Sequence, residues 1–245
     1  MWVGPTTPKT AEELRSMTTS ELLAFLVDWR PKDDWMEPTE EGLGRKLQEL
    51  VEADPVRFAR ECERFQSTEP TYVRAVLAGL TTAIRNGKAL EISPVLRLCS
   101  WVLEQPRAIP GRPTDSARGL DRDPDWGWTR KQIADLLLAG LENRPHSIPL
   151  SERPVVWRLL EVLATDPDPD VTYNDQASLD VLSQALNCVR GQAMHAVMNY
   201  AMWVHRTEKH EGDVAIGSGL VPEVVTRLDL GLDPQREPTH AVRGV

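Results

Sequence analysis

The chain has 245 residues, a formal net charge of −9, 41% hydrophobic residues and 27% charged residues. This length can bury a substantial core, and the composition is that of a folded protein rather than a disordered one. The acidic balance argues against nucleic-acid binding, because affinity for the phosphate backbone comes from Lys and Arg. No stretch approaches the roughly 18 apolar residues of a membrane span, and the N-terminus lacks a signal-peptide pattern. We therefore expect a soluble, cytoplasmic protein with no membrane partner.

The three cysteines, Cys62, Cys99 and Cys188, are odd in number, far apart in sequence and not arranged as CxxC. Each lies in an apolar helical pattern. This usage predicts small buried side chains with free thiols in a reducing compartment.

Residues 1–39 form a predicted lead-in with two short helices. Thr10-Ala-Glu-Glu13 and Thr18-Thr-Ser-Glu21 are capping-box patterns, in which a threonine and a glutamate each accept a hydrogen bond from backbone N–H groups of the first turn. The second capping box predicts the start of a helix over 22–29, and residues 30–38 are predicted to form a loop.

Further along, a Ser or Asp directly precedes proline at the head of an apolar-periodic stretch. The pairs are Asp54-Pro55, Ser93-Pro94 and Asp123-Pro124, with Asp233-Pro234 as a weaker case. The first residue can accept hydrogen bonds from the first turn, and the proline has its φ angle already set for a helix. Each pair therefore predicts a helix start.

Apolar periodicity predicts helices over most of the remaining chain. The predicted ranges are 40–52, 55–66, 70–86, 93–105, 124–142, 151–164, 178–208 and 221–229. The range 178–208 is either one long helix or two helices meeting near 187–191, and the periodicity leaves this open. Short breaks predict antiparallel pairing of consecutive helices.

The predicted fold class is all-α, with irregular antiparallel helix pairs stacked as a HEAT-like α-solenoid. The chain is expected to form a single helical-repeat domain over 1–245, with helix pairs in 40–105 and 124–245 separated by a loop at 106–123. A compact helical bundle is the alternative. The absence of a clear closing helix predicts that the chain is part of a longer protein.

Candidate chemistry is sparse. Asp166, Asp168 and Asp170 match the first three ligand positions of a calcium loop, but Val171 and Ala177 stand where glycine and glutamate are required. This segment is therefore interpreted as a solvated linker. His205 and His210 are five residues apart, so on a helix their imidazoles point in divergent directions and do not suit one metal ion. No nucleotide-binding or nucleophile motif is present. We expect no catalytic residue, cofactor or metal.

The loop and the helix start after it hold the candidate partner-binding residues. These are Arg107, Arg112, Arg118, Arg122, Trp126 and Trp128. Long loops on rigid scaffolds often contact partners, and tryptophan and arginine often anchor interfaces. Two other interpretations stay open: the loop is a mixed-charge surface connection, and the tryptophans pack over the start of a helix. Trp35 is a further exposed candidate.

Several short strings resemble the long helical-repeat regions of very large bacterial proteins, among them the STAND-type antiviral NTPases. The strings are Thr10-Ala-Glu-Glu-Leu14, Glu21-Leu-Leu with Trp29, Glu41-Gly-Leu-Gly-Arg-Lys-Leu47, Asp54-Pro-Val-Arg-Phe58, Asp125-Trp-Gly-Trp-Thr-Arg130 and Asn187-Cys-Val-Arg-Gly-Gln-Ala193. In those NTPases a C-terminal helical solenoid senses a phage protein. No Walker loop is present here, so the resemblance implies only the helical part, with no functional residues to carry over.

The expected function is a non-enzymatic protein-binding scaffold or sensor module, a fragment of a larger bacterial protein, in antiphage defence. Its expected partner is another protein. The alternative is a nucleic-acid-binding helical repeat, which would require the arginines of the loop or of several helices to converge on one face.

Overall fold

A computed structural model describes residues 6–32, 37–112, 122–142, 145–169, 183, 186–210, 221–233 and 235. Within these residues the regular structure is helical and contains no strand, which confirms the all-α prediction. The solenoid arrangement stays a prediction.

The described part of the chain contains ten α-helices and two short 3₁₀ segments. The α-helices are α1 Ala11–Ser16, α2 Thr19–Asp28, α3 Glu40–Ala53, α4 Pro55–Glu61, α5 Pro70–Arg85, α6 Ile92–Glu104, α7 Gly127–Leu141, α8 Arg153–Leu163, α9 Val189–His210 and α10 Pro222–Leu232. The 3₁₀ segments are Cys62–Ser67 and Leu150–Glu152. The chain forms two compact units, 1–132 and 133–245. The single helical-repeat domain stays a prediction.

Both predicted capping boxes are confirmed. The side chains of Thr10 and Thr18 accept from the backbone N–H groups of Glu13 and Glu21, and the glutamates accept from the threonine N–H groups in return. Asp54 caps α4 as predicted, with Pro55 at the first helical position.

The other two Ser/Asp-Pro predictions are wrong in detail. Helix α6 begins at Ile92, so Ser93 and Pro94 lie inside its first turn. Helix α7 begins at Gly127, and Asp123 does not cap it. Proline has no N–H group, and the N–H groups of a helix's first turn have no acceptor within the helix. Proline is therefore tolerated at several positions of the first turn, and its position alone does not fix the first helical residue. The weaker pair at 233–234 lies partly outside the described residues.

Helices α3 and α5 form the most extensive helix contact in the 1–132 unit. Their contact surfaces are apolar, and Leu43, Leu47, Tyr72 and Leu80 are fully buried. Gly79 of α5 allows the close approach, because a Cβ at this position would lie 2.7 Å from the Cβ of Val51 and 2.9 Å from the carbonyl oxygen of Gln48.

The predicted pairing of consecutive helices is wrong in this unit. Helix α3 packs mainly on α5 rather than on α4, and α6 packs on α4 and the Cys62–Ser67 segment rather than on α5. Residues 55–67 are too irregular to form one straight helix, because the α-helix tightens into a 3₁₀ segment at Cys62. The break changes which faces meet.

In the 133–245 unit the predicted apolar stripe is confirmed along α9. Val189, Ala193, Val197, Tyr200 and Val204 are all at most 1% exposed. The helix begins at Val189 and runs through Gly191, so the glycine does not break it. Leu186, expected on the same stripe, is 40% exposed. Residues 178–182 lie outside the described part, so the pairing of 178–190 with 191–208 stays untested.

The acidic segment that contains Asp166 and Asp168 provides hydrogen-bond acceptors at the start of α9. The carboxylate of Asp168 accepts from the backbone N–H of Val189 at 2.8 Å, and its own N–H donates to the Asp166 carboxylate at 3.0 Å. Arg190 donates to the carbonyl oxygens of Asp166 and Pro169. Asp166 is buried rather than solvated, so the interpretation as a solvated linker is wrong for this residue. Asp170 lies outside the described residues.

A polar triad ties three helices of this unit together. The Arg153 guanidinium donates to the Tyr200 hydroxyl at 3.1 Å and to Glu223 at 2.8 Å, and the Tyr200 hydroxyl donates to Glu223 at 3.1 Å. The indole N–H of Trp203 donates to the carbonyl oxygen of Ile148 at 2.9 Å.

Among the described residues, no helix has the length and apolar character that a membrane span requires.

The α3–α5 contact leads to a matched pair of substitutions. We expect Gly79→Ala to destabilise the chain by about 1–3 kcal/mol, because the new methyl overlaps backbone and a β-branched side chain. Gly44→Ala, on the facing helix, is the control: its methyl would meet the nearest atom of Thr71 at 3.4 Å, an ordinary contact. Alanine also favours the helix over glycine by up to about 1 kcal/mol. Urea denaturation of both variants tests this, and equal stabilities would contradict it.

Candidate recognition surface

Arg107 is held against the segment that leads into α7. Its guanidinium pairs with Asp125 at 3.2 Å, and its carbonyl oxygen accepts from the Trp126 N–H at 3.0 Å. Gly127 donates to the Asp125 carboxylate at 2.7 Å, and a Cβ at this glycine would lie 2.6 Å from the Arg107 guanidinium. The order Asp-Trp-Gly-Trp therefore folds tightly over the helix start.

Arg112 is also committed to neighbours within the unit. Its side chain is only 10% exposed, pairs with Glu69, and donates to the carbonyl oxygen of Asp123 at 2.9 Å. The charge of this arginine is therefore compensated by a carboxylate at the start of α5.

Asp123 is the buried centre of the region. Its carboxylate is fully buried and accepts hydrogen bonds from the Arg74 guanidinium at both oxygens, with Nε–Oδ2 and Nη2–Oδ1 distances of 2.9 Å. Its N–H donates to the hydroxyl of Thr71 at 2.8 Å, and Arg74 also pairs with Glu41 at 2.6 Å. Burial raises the pKa of the Asp123 carboxyl, and the ion pair with Arg74 opposes that rise.

Trp126 is 8% exposed and packs edge-on against Trp101, with ring centroids 5.5 Å apart. Trp126 thus fits the interpretation in which the tryptophans pack over the start of a helix. Its burial leaves little surface for a partner.

Trp128 differs from its neighbour, because it is 44% exposed. The guanidinium carbon of Arg74 lies 5.5 Å from the centroid of its ring, in cation–π geometry. Since Arg74 is itself held by Asp123 and Glu41, one face of the indole rests on a fixed ion pair and the rest of it meets solvent.

The remaining sequence candidates give a mixed result. Arg122 is exposed, whereas Arg118 and Trp35 lie outside the described residues. The guanidinium groups of Arg107 and Arg112 both form ion pairs with carboxylates of the same unit. The described residues therefore bring two of the four loop arginines into ion pairs.

Three residues of this ion-pair group were not predicted from the sequence: Arg74 and Glu69, which pair with loop residues, and Glu41, which pairs with Arg74. All three lie near the starts of α3 and α5, far from the loop in sequence. The available signal was the position of Glu41 and Arg74 on helices with wide apolar faces, where a charge close to the packed surface needs a partner.

A second polar group lies near the same helix starts. Glu40 is 3% exposed and Tyr72 is fully buried; one carboxylate oxygen of Glu40, the Tyr72 hydroxyl and the Thr6 hydroxyl have no hydrogen-bond partner in the described structure. Burial raises the pKa of Glu40; the neighbouring Glu69 adds to the rise, while Arg122, Arg112 and Arg30 oppose it. Burial likewise raises the pKa of the Tyr72 hydroxyl.

The cysteines are buried and free, as predicted. Burial raises the pKa of the Cys62 thiol to about 12 and that of Cys188 to about 11, and it raises the pKa of Cys99 as well. Thiols with so little thiolate are poor nucleophiles. The described residues contain no group of three or more His, Cys, Asp or Glu side chains that could hold a metal ion.

Comparisons with models of known protein families, with curated proteins and with solved structures gave no match. The resemblance to helical-repeat regions of large bacterial proteins therefore stays a prediction from short strings.

Removal of the Asp123 charge is expected to be costly. Asp123→Asn should lower the free energy of unfolding by about 2 kcal/mol, because Arg74 loses a charged partner while it stays largely out of water. Glu49→Gln is the control, since its ion pair with Lys46 is exposed and should contribute less than about 1 kcal/mol. Urea denaturation at neutral pH measures both, and an Asp123→Asn protein as stable as the control would contradict the assignment.

Glu40 is expected to make stability depend on pH. Because its pKa is raised in the folded state, the folded chain retains a proton that the unfolded chain has lost, so this contribution to stability decreases as the pH rises from the ordinary carboxyl range through the raised value. Glu40→Gln should remove this decrease. Denaturation midpoints of the native chain, Glu40→Gln and the exposed control Glu49→Gln, taken across pH 4–8, test the sign. Parallel profiles for all three would refute it.

Proposed function

We propose that the chain is a non-enzymatic protein-binding scaffold or sensor module, and that Trp128 anchors its partner. The supporting observation is an indole that is 44% exposed at the start of a helix and is held on its other side by an ion-paired guanidinium. Tryptophan dominates binding energy at interfaces when it is rigid and surrounded by polar contacts that exclude water.

The surroundings of Trp128 supply that rigidity. Arg74 is fixed between the buried Asp123 carboxylate and Glu41. The indole that rests on it therefore loses little conformational entropy on binding. Two loop arginines are already ion-paired, which argues against the nucleic-acid alternative because phosphate binding needs free cationic charge. The resemblance to bacterial helical-repeat regions adds the proposal that the partner is a phage protein and that this chain belongs to a larger defence protein.

The test uses the tagged full chain in its bacterial host, with and without phage infection. A defined partner should be recovered by the native chain and lost with Trp128→Ala. Val56→Ala is the matched control, since Val56 is 42% exposed in the same unit and is not a member of the Arg74 ion pairs.

With that partner purified, Trp128→Ala should weaken binding by about 30-fold or more, and Val56→Ala should leave the affinity unchanged. A partner that binds both variants equally would reject Trp128 as the anchor. Recovery that depends on nucleic acid, and is lost on nuclease treatment or at raised salt, would favour the alternative instead.

A further inference from the structure

The exposed face of α9 carries two methionines where a soluble protein normally has polar residues. Met198 is 46% exposed and Met202 is 53% exposed, whereas Met194 on the same helix is 5% exposed. The two residues are four apart, so they are neighbours on one helix face. The opposite face packs into the unit through buried residues such as Tyr200 and Trp203, which fixes the direction of this face.

Each exposed methionine has a histidine three residues away on the same face. His195 precedes Met198, and His205 follows Met202, so the helix reads His-x-x-Met and then Met-x-x-His. Residues three apart on a helix face the same side and lie about 5–6 Å apart between their Cβ atoms. His205 is exposed and His195 is half-buried, and the described structure gives neither imidazole a hydrogen-bond or ion-pair partner.

Thioether and imidazole ligands together are selective for one class of ion. A thioether sulfur is a soft, neutral ligand that binds Cu(I)-type cations and leaves Mg²⁺, Ca²⁺ and Mn²⁺ to oxygen ligands. Imidazole binds soft and borderline metals alike. The flexible methionine side chain can swing toward a histidine on the adjacent turn without any change in the backbone.

We propose that α9 binds soft monovalent cations, Cu(I) or Ag(I), through two clamps, His195 with Met198 and Met202 with His205. The midpoints of the clamps are seven residues apart, or about 10 Å along the helix, so two bound ions would repel each other only weakly in water. The two methionines are adjacent at the centre and can each add a third ligand to the neighbouring clamp.

The buried thiols do not compete in the folded chain. Cys62, Cys99 and Cys188 are all 0% exposed. Soft cations also prefer thiolate, and burial raises the pKa of all three thiols, so little thiolate is present. Among the described residues, the exposed methionine side chains are those of Met198 and Met202, so the clamps on α9 offer thioether ligands to solvent.

The test is titration of the full-length chain with silver nitrate in chloride-free buffer, followed by NMR of methionine methyl groups and by native mass spectrometry. The methyl resonances of Met198 and Met202, assigned through the single leucine variants, should shift, and two ions should bind. The resonances of Met17 and Met194 should stay in place. Cu(I), kept reduced without oxygen, should reproduce the shifts, and Zn²⁺ should leave the methionine methyls unmoved.

The variant Met198→Leu/Met202→Leu keeps the apolar surface and helix propensity while it removes both thioethers, and it should lose at least about tenfold in Ag(I) affinity. His205→Gln should lower the number of ions from two to one. Asn199→Ala, between the clamps, is the control and should bind as the native chain does. Unmoved methyl resonances, or a double leucine variant that binds Ag(I) as tightly as the native chain, would overturn the proposal. Circular dichroism of each variant verifies that the helix is retained.

Discussion

One buried carboxylate positions the segment that leads into α7. Asp123 is fully buried, and its charge is compensated by the guanidinium of Arg74. A buried carboxylate is tolerated only when it is paired and hydrogen-bonded, so the chain before α7 must return to α5 at this point. The same guanidinium then supports the indole of Trp128. A single electrostatic requirement thus links the core of the unit to Trp128, an exposed aromatic side chain.

The sequence predicted local structure better than it predicted packing. Capping boxes at Thr10 and Thr18 and the apolar stripe of α9 follow from contacts within one or two turns, and these predictions are confirmed. The partner of each helix depends on nonlocal fit instead. The close approach of α5 to α3 at Gly79 and the 3₁₀ tightening after Glu61 decide which helices meet, and neither leaves a periodic signal.

The candidate surface was predictable in part for a related reason. Loop composition indicated the arginines and tryptophans, but not which of them would be neutralised or buried. Arg107 and Arg112 are engaged by carboxylates, and Trp126 is covered by Trp101, so the described candidates that stay exposed are Trp128 and Arg122. A pairing between residues about fifty positions apart, such as Arg74 with Asp123, cannot be read from spacing in a single chain.

The reactivity of the three buried cysteines also reports on the separation of the helices around them. Because their thiols are shielded from solvent and scarcely ionised, an alkylating reagent reacts with them only when the surrounding helices separate. Cys62 and Cys99 belong to one compact unit and Cys188 to the other. The order in which the three sites are labelled would therefore reveal whether the two units open together or separately.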